Sequence, residues 1–146
     1  KERCKEGRMI IKQISIFLEN VSGRLAEVTK ILAGAGINLR AMTIADTADF
    51  GILRIVADRP DTALAALIKA GFTAKETDVL AVEVEDKPGG LAHVMDIFRA
   101  NKVNIEYLYV SLEKTREKAV VIFKVEDIAH GMKIVEENKL KPVNSF

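Results

Sequence analysis

Two short glycine-containing segments hold the residues of this chain best suited to bind a small anion. They read ENVSGRL at residues 19–25 and EDKPGGL at residues 85–91. Glycine allows a turn with positive φ, and the amides that open a following helix lack partners and carry a partial positive charge. Such a loop can bind a carboxylate. A glycine that only permits the turn would leave the same pattern, so the residues alone keep both interpretations open.

Two asparagines follow these loops at equal spacing, Asn38 in GINL and Asn104 in KVNI. A side-chain amide can donate to a carboxylate and accept from an ammonium group, which is what a bound amino acid requires. It can equally cap the edge of a sheet. Under the binding interpretation, we expect one amino acid to contact the loop amides and the asparagine together.

The sequence lacks the residues that disulfide, metal, redox and nucleophilic sites require. The single cysteine, Cys4, allows no intramolecular disulfide and no cysteine-based metal or redox site. The two histidines, His93 and His130, fall in helical segments where they are expected at the surface or its boundary. Neither a phosphate-binding P-loop nor a nucleophile–base signature is present. We therefore expect no catalysis, no metal site and no cofactor.

Composition restricts the class of protein. Of 146 residues, 49% are hydrophobic and 29% charged, which is typical of a globular protein. No apolar run is long enough to cross a bilayer and no signal-peptide pattern is found, so we expect a cytoplasmic protein that does not contact membranes. Residues 1–8 hold four basic and two acidic residues, and without them the net charge of +1 becomes −1. A nearly neutral body argues against nucleic-acid binding, and residues 1–8 are expected to be a disordered polar leader.

An internal repeat organises the chain. An offset of 66 residues aligns the segment starting at Lys12 with the segment starting at Thr77, and the offset becomes 68 after a hairpin that is two residues longer in the second copy. We expect repeats over residues 9–77 and 78–146, with a break in β structure near Asp78.

Each repeat predicts the order βαββαβ. Ile14, Ile16 and Leu18 alternate as in a strand, and the next segment has helical spacing, with Ser22 and Pro88 at plausible helix starts. The predicted fold is α+β: a ferredoxin-like βαββαβ unit repeated twice, with antiparallel sheets joined side by side into eight strands and helices on one face.

The second strand of the second repeat carries apolar residues on both faces. Simple alternation places Val103, Ile105, Tyr107 and Tyr109 on one face, and Leu108 and Val110 on the other. A sheet with one face in water should alternate cleanly between apolar and polar residues. We therefore expect the second face to be covered by the other repeat or by another chain.

The motif D/N-x-(P/S)-G-x-L-A-x-V, followed by (G)-(I/V)-N-(I/L), resembles the ACT domain, a regulatory amino-acid-binding module. The resemblance covers both copies and nearly all of the chain from Met9. It implies domains that pair side by side and bind an effector amino acid at the interface. It also implies these ligand-binding residues: Asn20, Val21, Ser22, Gly23, Arg24, Leu25, Asn38, Asp86, Lys87, Pro88, Gly89, Gly90, Leu91 and Asn104.

The first copy departs from the family pattern, with Ser22 in place of proline and Arg24 after the glycine, so either one or both sites could bind. We expect no catalytic domain in this chain and expect a free-standing allosteric sensor, with a free amino acid as effector and a homodimer or a metabolic enzyme as partner. Two alternatives remain: a pairing module without ligand, or the detached regulatory part of an amino-acid biosynthetic enzyme.

Overall fold

The computed structural model describes residues 10–46, 49–111 and 118–143. The expected polar leader, Cys4 and most of the hairpin positions that explain the change of offset lie outside these residues. The chain divides into two compact units. The first unit comprises Lys12–Thr77, and the second comprises the chain from Asp78 onward together with Ile10 and Ile11.

Seven strands and four helices follow one another in the described part of the chain. In order they are β1 (Ile10–Glu19), α1 (Arg24–Gly34), β2 (Leu39–Asp46), β3 (Phe50–Ala57), α2 (Pro60–Lys69), β4 (Thr73–Glu85), α3 (Gly90–Ala100), β5 (Ile105–Val110), β6 (Lys118–Val125), α4 (Ile128–Glu137) and β7 (Lys141–Pro142).

Each unit has the predicted βαββαβ order. The strands of the first unit are arranged β2-β3-β1-β4 and those of the second β7-β4-β6-β5. The pairs β1·β3, β2·β3, β4·β6, β5·β6 and β4·β7 are all antiparallel. The α+β, ferredoxin-like class is therefore confirmed, and the side-by-side joining of the two sheets stays a prediction.

The boundary between the units falls inside β4. We expected Asp78 to separate two strands, but it lies inside β4, which is one continuous strand of 13 residues. Thr73–Thr77 belong to the first unit and the remainder of β4 to the second. The last strand of the second unit is shorter than expected, because Pro142 lacks an N–H and pairing ends with the bond from Val143 N to Ala81 O.

The core of the first unit lies between its sheet and its two helices. Ile14 and Ile16 of β1 are fully buried against Leu53 of β3, Val28 of α1 and Leu67 of α2. This is the alternation that the sequence predicts for a strand with one face on helices. Burial of each such side chain contributes about 1.5–3 kcal/mol.

The core of the second unit repeats this arrangement with larger side chains. Phe98 of α3 and Phe123 of β6 pack edge to face with ring centroids 5.2 Å apart. Val82 of β4 and Val135 of α4 complete the centre of the cluster. Edge-to-face packing of aromatic rings adds to the stabilisation from area burial alone.

A β-bulge changes the expected faces of β5. The register shifts between Ile105 and Tyr107, so simple alternation fails there. Ile105 packs on the core of the second unit, and Leu108 pairs with the core residue Phe123. The predicted grouping of Val103 and Ile105 with Tyr107 and Tyr109 is therefore wrong, because directly paired residues share a face and Tyr109 pairs with Ile122 instead.

None of the described helices is both long enough and apolar enough to cross a membrane.

Candidate functional site

The loop between β1 and α1 is a tight turn held by its own backbone. Val21 N donates to Glu19 O at 2.8 Å, and Arg24 N donates to Val21 O at 3.3 Å. Gly23 then adopts φ 90°, in the left-handed region, and its carbonyl accepts from Glu27 N at 3.0 Å. The glycine of the motif is thus required by the backbone conformation of the turn.

The loop between β4 and α3 repeats these bonds one for one. Lys87 N donates to Glu85 O at 3.0 Å, and Gly90 N donates to Lys87 O at 3.0 Å. Gly89 has φ 86°, and its carbonyl accepts from His93 N at 3.0 Å. The two loops therefore share one backbone geometry despite their different side chains.

The N-cap residue of both helices is a glycine, which has no side chain to cap the helix. We expected Ser22 to cap the first helix, but α1 starts at Arg24 after Gly23, and α3 starts at Gly90 after Gly89. Within the described residues, no side chain caps either helix. Because the amides of Arg24 and Gly90 already donate within the turns, the next two amides of each helix are the ones available to a ligand: those of Leu25 and Ala26 in α1, and of Leu91 and Ala92 in α3. They lie at the positive end of the helix dipole.

Gly90 brings the start of α3 very close to the end of β4. A Cβ built at Gly90 would lie 1.9 Å from the Glu85 carbonyl oxygen, which no real structure tolerates. Gly89, in contrast, has open space around its Cα. The second glycine of the GG pair is thus required for close approach, and the first for its positive φ.

Ion pairs form at the end of β1 and at the end of β4, where each strand enters its loop. Arg24 donates to Glu27 at 3.1 Å and to Glu19 at 3.5 Å. The hydrogen bond to Glu27, together with the charge of Glu19, raises the pKa of Arg24. In the second unit Lys87 lies 2.8 Å from Glu85, and this contact lowers the pKa of the Glu85 carboxyl. Glu85 therefore remains charged at neutral pH and holds the adjacent Lys87.

Each unit has a cavity beside its loop, at equivalent positions. The first-unit cavity has a volume of 510 Å³ and the second-unit cavity 490 Å³, both within the range of small-molecule sites. The first-unit cavity is lined by Phe17, Glu19, Arg24, Glu27, Phe50, Ala70, Gly71, Phe72 and Thr73. The second-unit cavity is lined by Glu83, Val84, Glu85, Lys87, Pro88, Gly89, Gly90, His93, Val94, Lys118, Lys139, Leu140 and Lys141.

Most of the predicted loop residues line these cavities or a smaller one. Lys87, Pro88, Gly89 and Gly90 form one wall of the second-unit cavity. A further 250 Å³ cavity lies on the other side of the first loop and is lined by Leu18, Glu19, Asn20, Val21, Arg24, Leu25, Ile44 and Gly51. The structure therefore places these loop residues around open cavities in both units.

The two asparagines lie away from the loops of their own units. Asn38 precedes β2, whose first residue Leu39 pairs with Ala57 at the far end of β3, whereas the loop follows Glu19, which pairs with Phe50. Phe50 and Ala57 are seven steps apart along β3, which is about 23 Å at 3.3 Å per residue. A free amino acid is much shorter, so within one unit it cannot contact both the loop and the asparagine.

Asn104 likewise precedes the second strand of its unit, and it is hydrogen-bonded to Glu126. Its Nδ2 donates to Glu126 Oε2 at 3.0 Å, and its carbonyl accepts from Glu126 N at 2.9 Å. Asn38 differs in that its backbone N–H donates to Asp58 Oδ1 at 3.1 Å. Asn104 thus ties the start of a second strand to the end of a third strand through its side chain, as the capping interpretation expects, whereas the bonds of Asn38 to Asp58 involve its backbone.

The histidines have separate environments. His93 is exposed at the edge of the second-unit cavity. His130 is half-buried, and its Nε2 lies 2.7 Å from the Asn101 carbonyl oxygen. Among the residues that the structure describes, no group of three or more metal-ligating side chains is found.

Sequence reasoning missed the side chains that give each cavity its chemistry. These residues lie outside the loop motif, on the first, third and fourth strands or just before the fourth. They are Phe17, Phe50 and Phe72 in the first unit, and Lys118, Lys139 and Lys141 in the second. The repeat alignment contained the signal, because the 68-residue offset pairs Phe50 with Lys118 and Thr73 with Lys141.

Comparison with solved structures shows the same fold in other proteins. Protein BT0572 from Bacteroides thetaiotaomicron is 41% identical, with 92% of each chain covered and a TM-score of 0.87. The regulatory subunit of aspartate kinase from Thermus thermophilus is 19% identical, with 87% of this chain and 91% of that chain covered and a TM-score of 0.62. The same subunit from Thermus flavus is 20% identical, with 88% and 92% covered and a TM-score of 0.61.

No curated protein matches the chain. The family model described as an ACT domain pair matches residues 9–145, which is nearly the whole sequence. The order βαββαβ in each unit and the paired glycine loops agree with that match. The chain therefore belongs to the family of ACT domain pairs, which are regulatory modules.

Proposed function

We propose that this protein is a non-catalytic sensor that binds a free amino acid at its β–α loops and passes the signal on through a change of conformation or assembly. The observation that carries this proposal is the shared loop geometry: a left-handed glycine, a helix start without a side-chain cap, and an adjoining cavity, in both units. A carboxylate at the loop would accept hydrogen bonds from the amides that follow Ser22 or Pro88.

Membership of a regulatory family supports the proposal, and so does the fold shared with regulatory subunits of aspartate kinase. A regulatory site must release its effector, so we expect a Kd between about 1 µM and 1 mM. At a hundredfold excess over Kd, the ligand would stabilise the fold by about 2.7 kcal/mol, or roughly 5–10 °C in melting temperature.

The test is a thermal-shift screen of the protein against the twenty amino acids. Gly23→Val and Gly89→Val place a β-branched side chain on a left-handed glycine at each loop and should abolish the shift at that loop. Gly36→Val is the matched control, because Gly36 also has positive φ (72°) but lies at the opposite end of its unit. If no amino acid shifts the melting temperature at millimolar concentration, the sensor proposal fails.

The asparagines are proposed as secondary contacts and need a separate test. Asn104→Ala should weaken binding by about 1–3 kcal/mol if the ligand reaches this residue. If Asn104 serves only its bond to Glu126, the substitution should lower stability and leave the affinity unchanged. Titration of wild type and variant with the amino acid that gave the largest shift separates these outcomes.

Assembly is the second part of the proposal, with a second copy or a metabolic enzyme as partner. Exposed apolar side chains lie at equivalent positions of the two units: Leu25 and Ile44 in the first, Leu91 and Val110 in the second. Apolar residues left in water beside a ligand loop favour a docking surface. This observation also supports the alternative of a pairing module without ligand.

Light scattering at tens of micromolar tests the homodimer. A homodimer of the 16.1 kDa chain has twice that mass, and Ile44→Asp should shift the population toward the monomer. A monomer with and without amino acid would contradict the homodimer. A ligand-independent dimer in a protein that binds no amino acid would favour the pairing module over the sensor.

A further inference from the structure

The equivalent cavities of the two units have opposite charge. In the second-unit cavity, four lysines face two glutamates, which gives these six residues a net charge of +2. In the first-unit cavity, Arg24 faces Glu19 and Glu27, which leaves a net charge of −1. Duplication has kept the cavity and changed the ligand chemistry that it favours.

The lysines of the second-unit cavity are unequally engaged. Lys87 and Lys118 share the carboxylate of Glu85, at 2.8 and 3.8 Å. Lys139 and Lys141 form no ion pair with any residue in the ranges that the structure describes. Glu83 is the remaining carboxylate of this cavity, and it lies opposite Lys141 in the strand pairing.

The first-unit cavity offers a different surface. Phe17, Phe50 and Phe72 supply aromatic rings, and its guanidinium, on Arg24, is already engaged by two carboxylates. A second negative charge on a ligand would be repelled there by Glu19 and Glu27. Arg24 is the one cation among the described residues of this lining, and both carboxylates already bind it. The first-unit cavity therefore favours apolar ligands, and the second favours anions.

We propose that the second-unit cavity selects a small anion with at least two negative charges, such as a dicarboxylic amino acid, with Lys139 and Lys141 as its specificity-determining residues. This rests on the proposed function, because the loop from Lys87 to Gly90 forms one wall of the cavity. One carboxylate lies at that loop, and the second anionic group lies between the two lysines. The volume of 490 Å³ is ample for such a ligand.

Matched ligand pairs test the selection by charge. Calorimetric titration with aspartate against asparagine, and glutamate against glutamine, compares nearly equal shapes that differ by one negative charge. We expect each acid to bind at least tenfold more tightly than its amide, with the difference falling as salt is raised because screening weakens the exposed lysines. Inorganic phosphate and succinate in the same assay show whether an amino group is needed.

Substitutions locate the effect. Lys139→Gln and Lys141→Gln should each weaken binding of the acid by about fivefold, and the double variant should bind acid and amide alike. Lys102→Gln is the matched control, because Lys102 is also exposed and has nearly the same backbone conformation, with φ 56° against 54° at Lys139. It should keep the full preference.

The outcomes separate this inference from the proposed function. Binding of a neutral amino acid with no preference for acids, or a preference that survives the double substitution, overturns the charge selection and leaves the sensor intact. Absence of binding by every amino acid, by succinate and by phosphate overturns both. A preference for dianions that the double variant loses and Lys102→Gln retains supports the inference, and binding of phosphate or succinate alone would assign the site to anions that lack an amino group.

Discussion

The close approach at Gly90 gives the sharpest prediction about the loop. In Gly90→Ala, the new Cβ would lie 1.9 Å from the Glu85 carbonyl oxygen, which must move by more than 1 Å to restore even a 3.0 Å contact. Because the neighbour is backbone rather than a flexible side chain, the helix start itself has to shift. Overpacking typically costs about 1–3 kcal/mol, and we expect the upper end, or a fall of roughly 10 °C in melting temperature.

Urea unfolding of three glycine-to-alanine variants tests this magnitude. Gly34 is helical with open space around it, so Gly34→Ala should stabilise the protein by about 0.5–1 kcal/mol. Gly131→Ala should fall between the two, since its Cβ would meet the ends of the Leu80 and Val125 side chains at 2.9 and 3.0 Å. A Gly90→Ala stability within about 0.5 kcal/mol of wild type would refute the reasoning.

Three smaller predictions concern a helix cap, a strained residue and a titrating pair. Asp127→Ala should lower the free energy of unfolding by about 1 kcal/mol in urea titration, because Asp127 Oδ1 accepts a hydrogen bond from His130 N at 3.1 Å. Asp127→Asn should keep most of the wild-type stability, since asparagine is also a good N-cap. Lys102→Gly should raise the stability by about 0.5–1 kcal/mol in calorimetry, since lysine is held there at φ 56° after a helix, and a decrease would contradict this. Glu85→Gln should be less stable than wild type at pH 7. Lys87 holds the pKa of Glu85 below its usual 4.5, so this stabilisation is present above pH 4.5 and the difference should disappear as the pH falls through the lowered pKa.

The repeat explains why the fold could be predicted from the sequence. Two independent copies of the same change from alternating to helical spacing identified the βαββαβ order, and the buried Ile14 and Ile16 follow it. The bulge beside Ile105 could not be predicted, because one extra residue in a strand leaves no mark in an apolar pattern. The glycine start of α1 was missed because Ser22 is itself a good capping residue.

The candidate site was predicted in its loops and not in its surroundings. The left-handed Gly23 and Gly89 follow from the motif, since only glycine adopts this conformation without strain. The separation of Asn38 from its loop follows from the topology itself, because the helix after β1 returns the chain to the end of the sheet where β1 began. The cavity lysines depend on where the third and fourth strands meet the loop, which spacing within the motif does not encode.

The central claim is that an amino acid binds at the β–α loops, and mapping of backbone amide shifts by NMR tests it most directly. The protein is titrated with the amino acid that gives the largest thermal shift, and the Gly36→Val variant is titrated in the same way as a control. We expect saturable shifts, with a Kd between about 1 µM and 1 mM, at the amides that follow Gly23, those that follow Gly89, or both. If no amino acid shifts these amides at millimolar concentration, or if the shifts cluster only around Asn38 and Asn104, the loops are not the site and the account is contradicted.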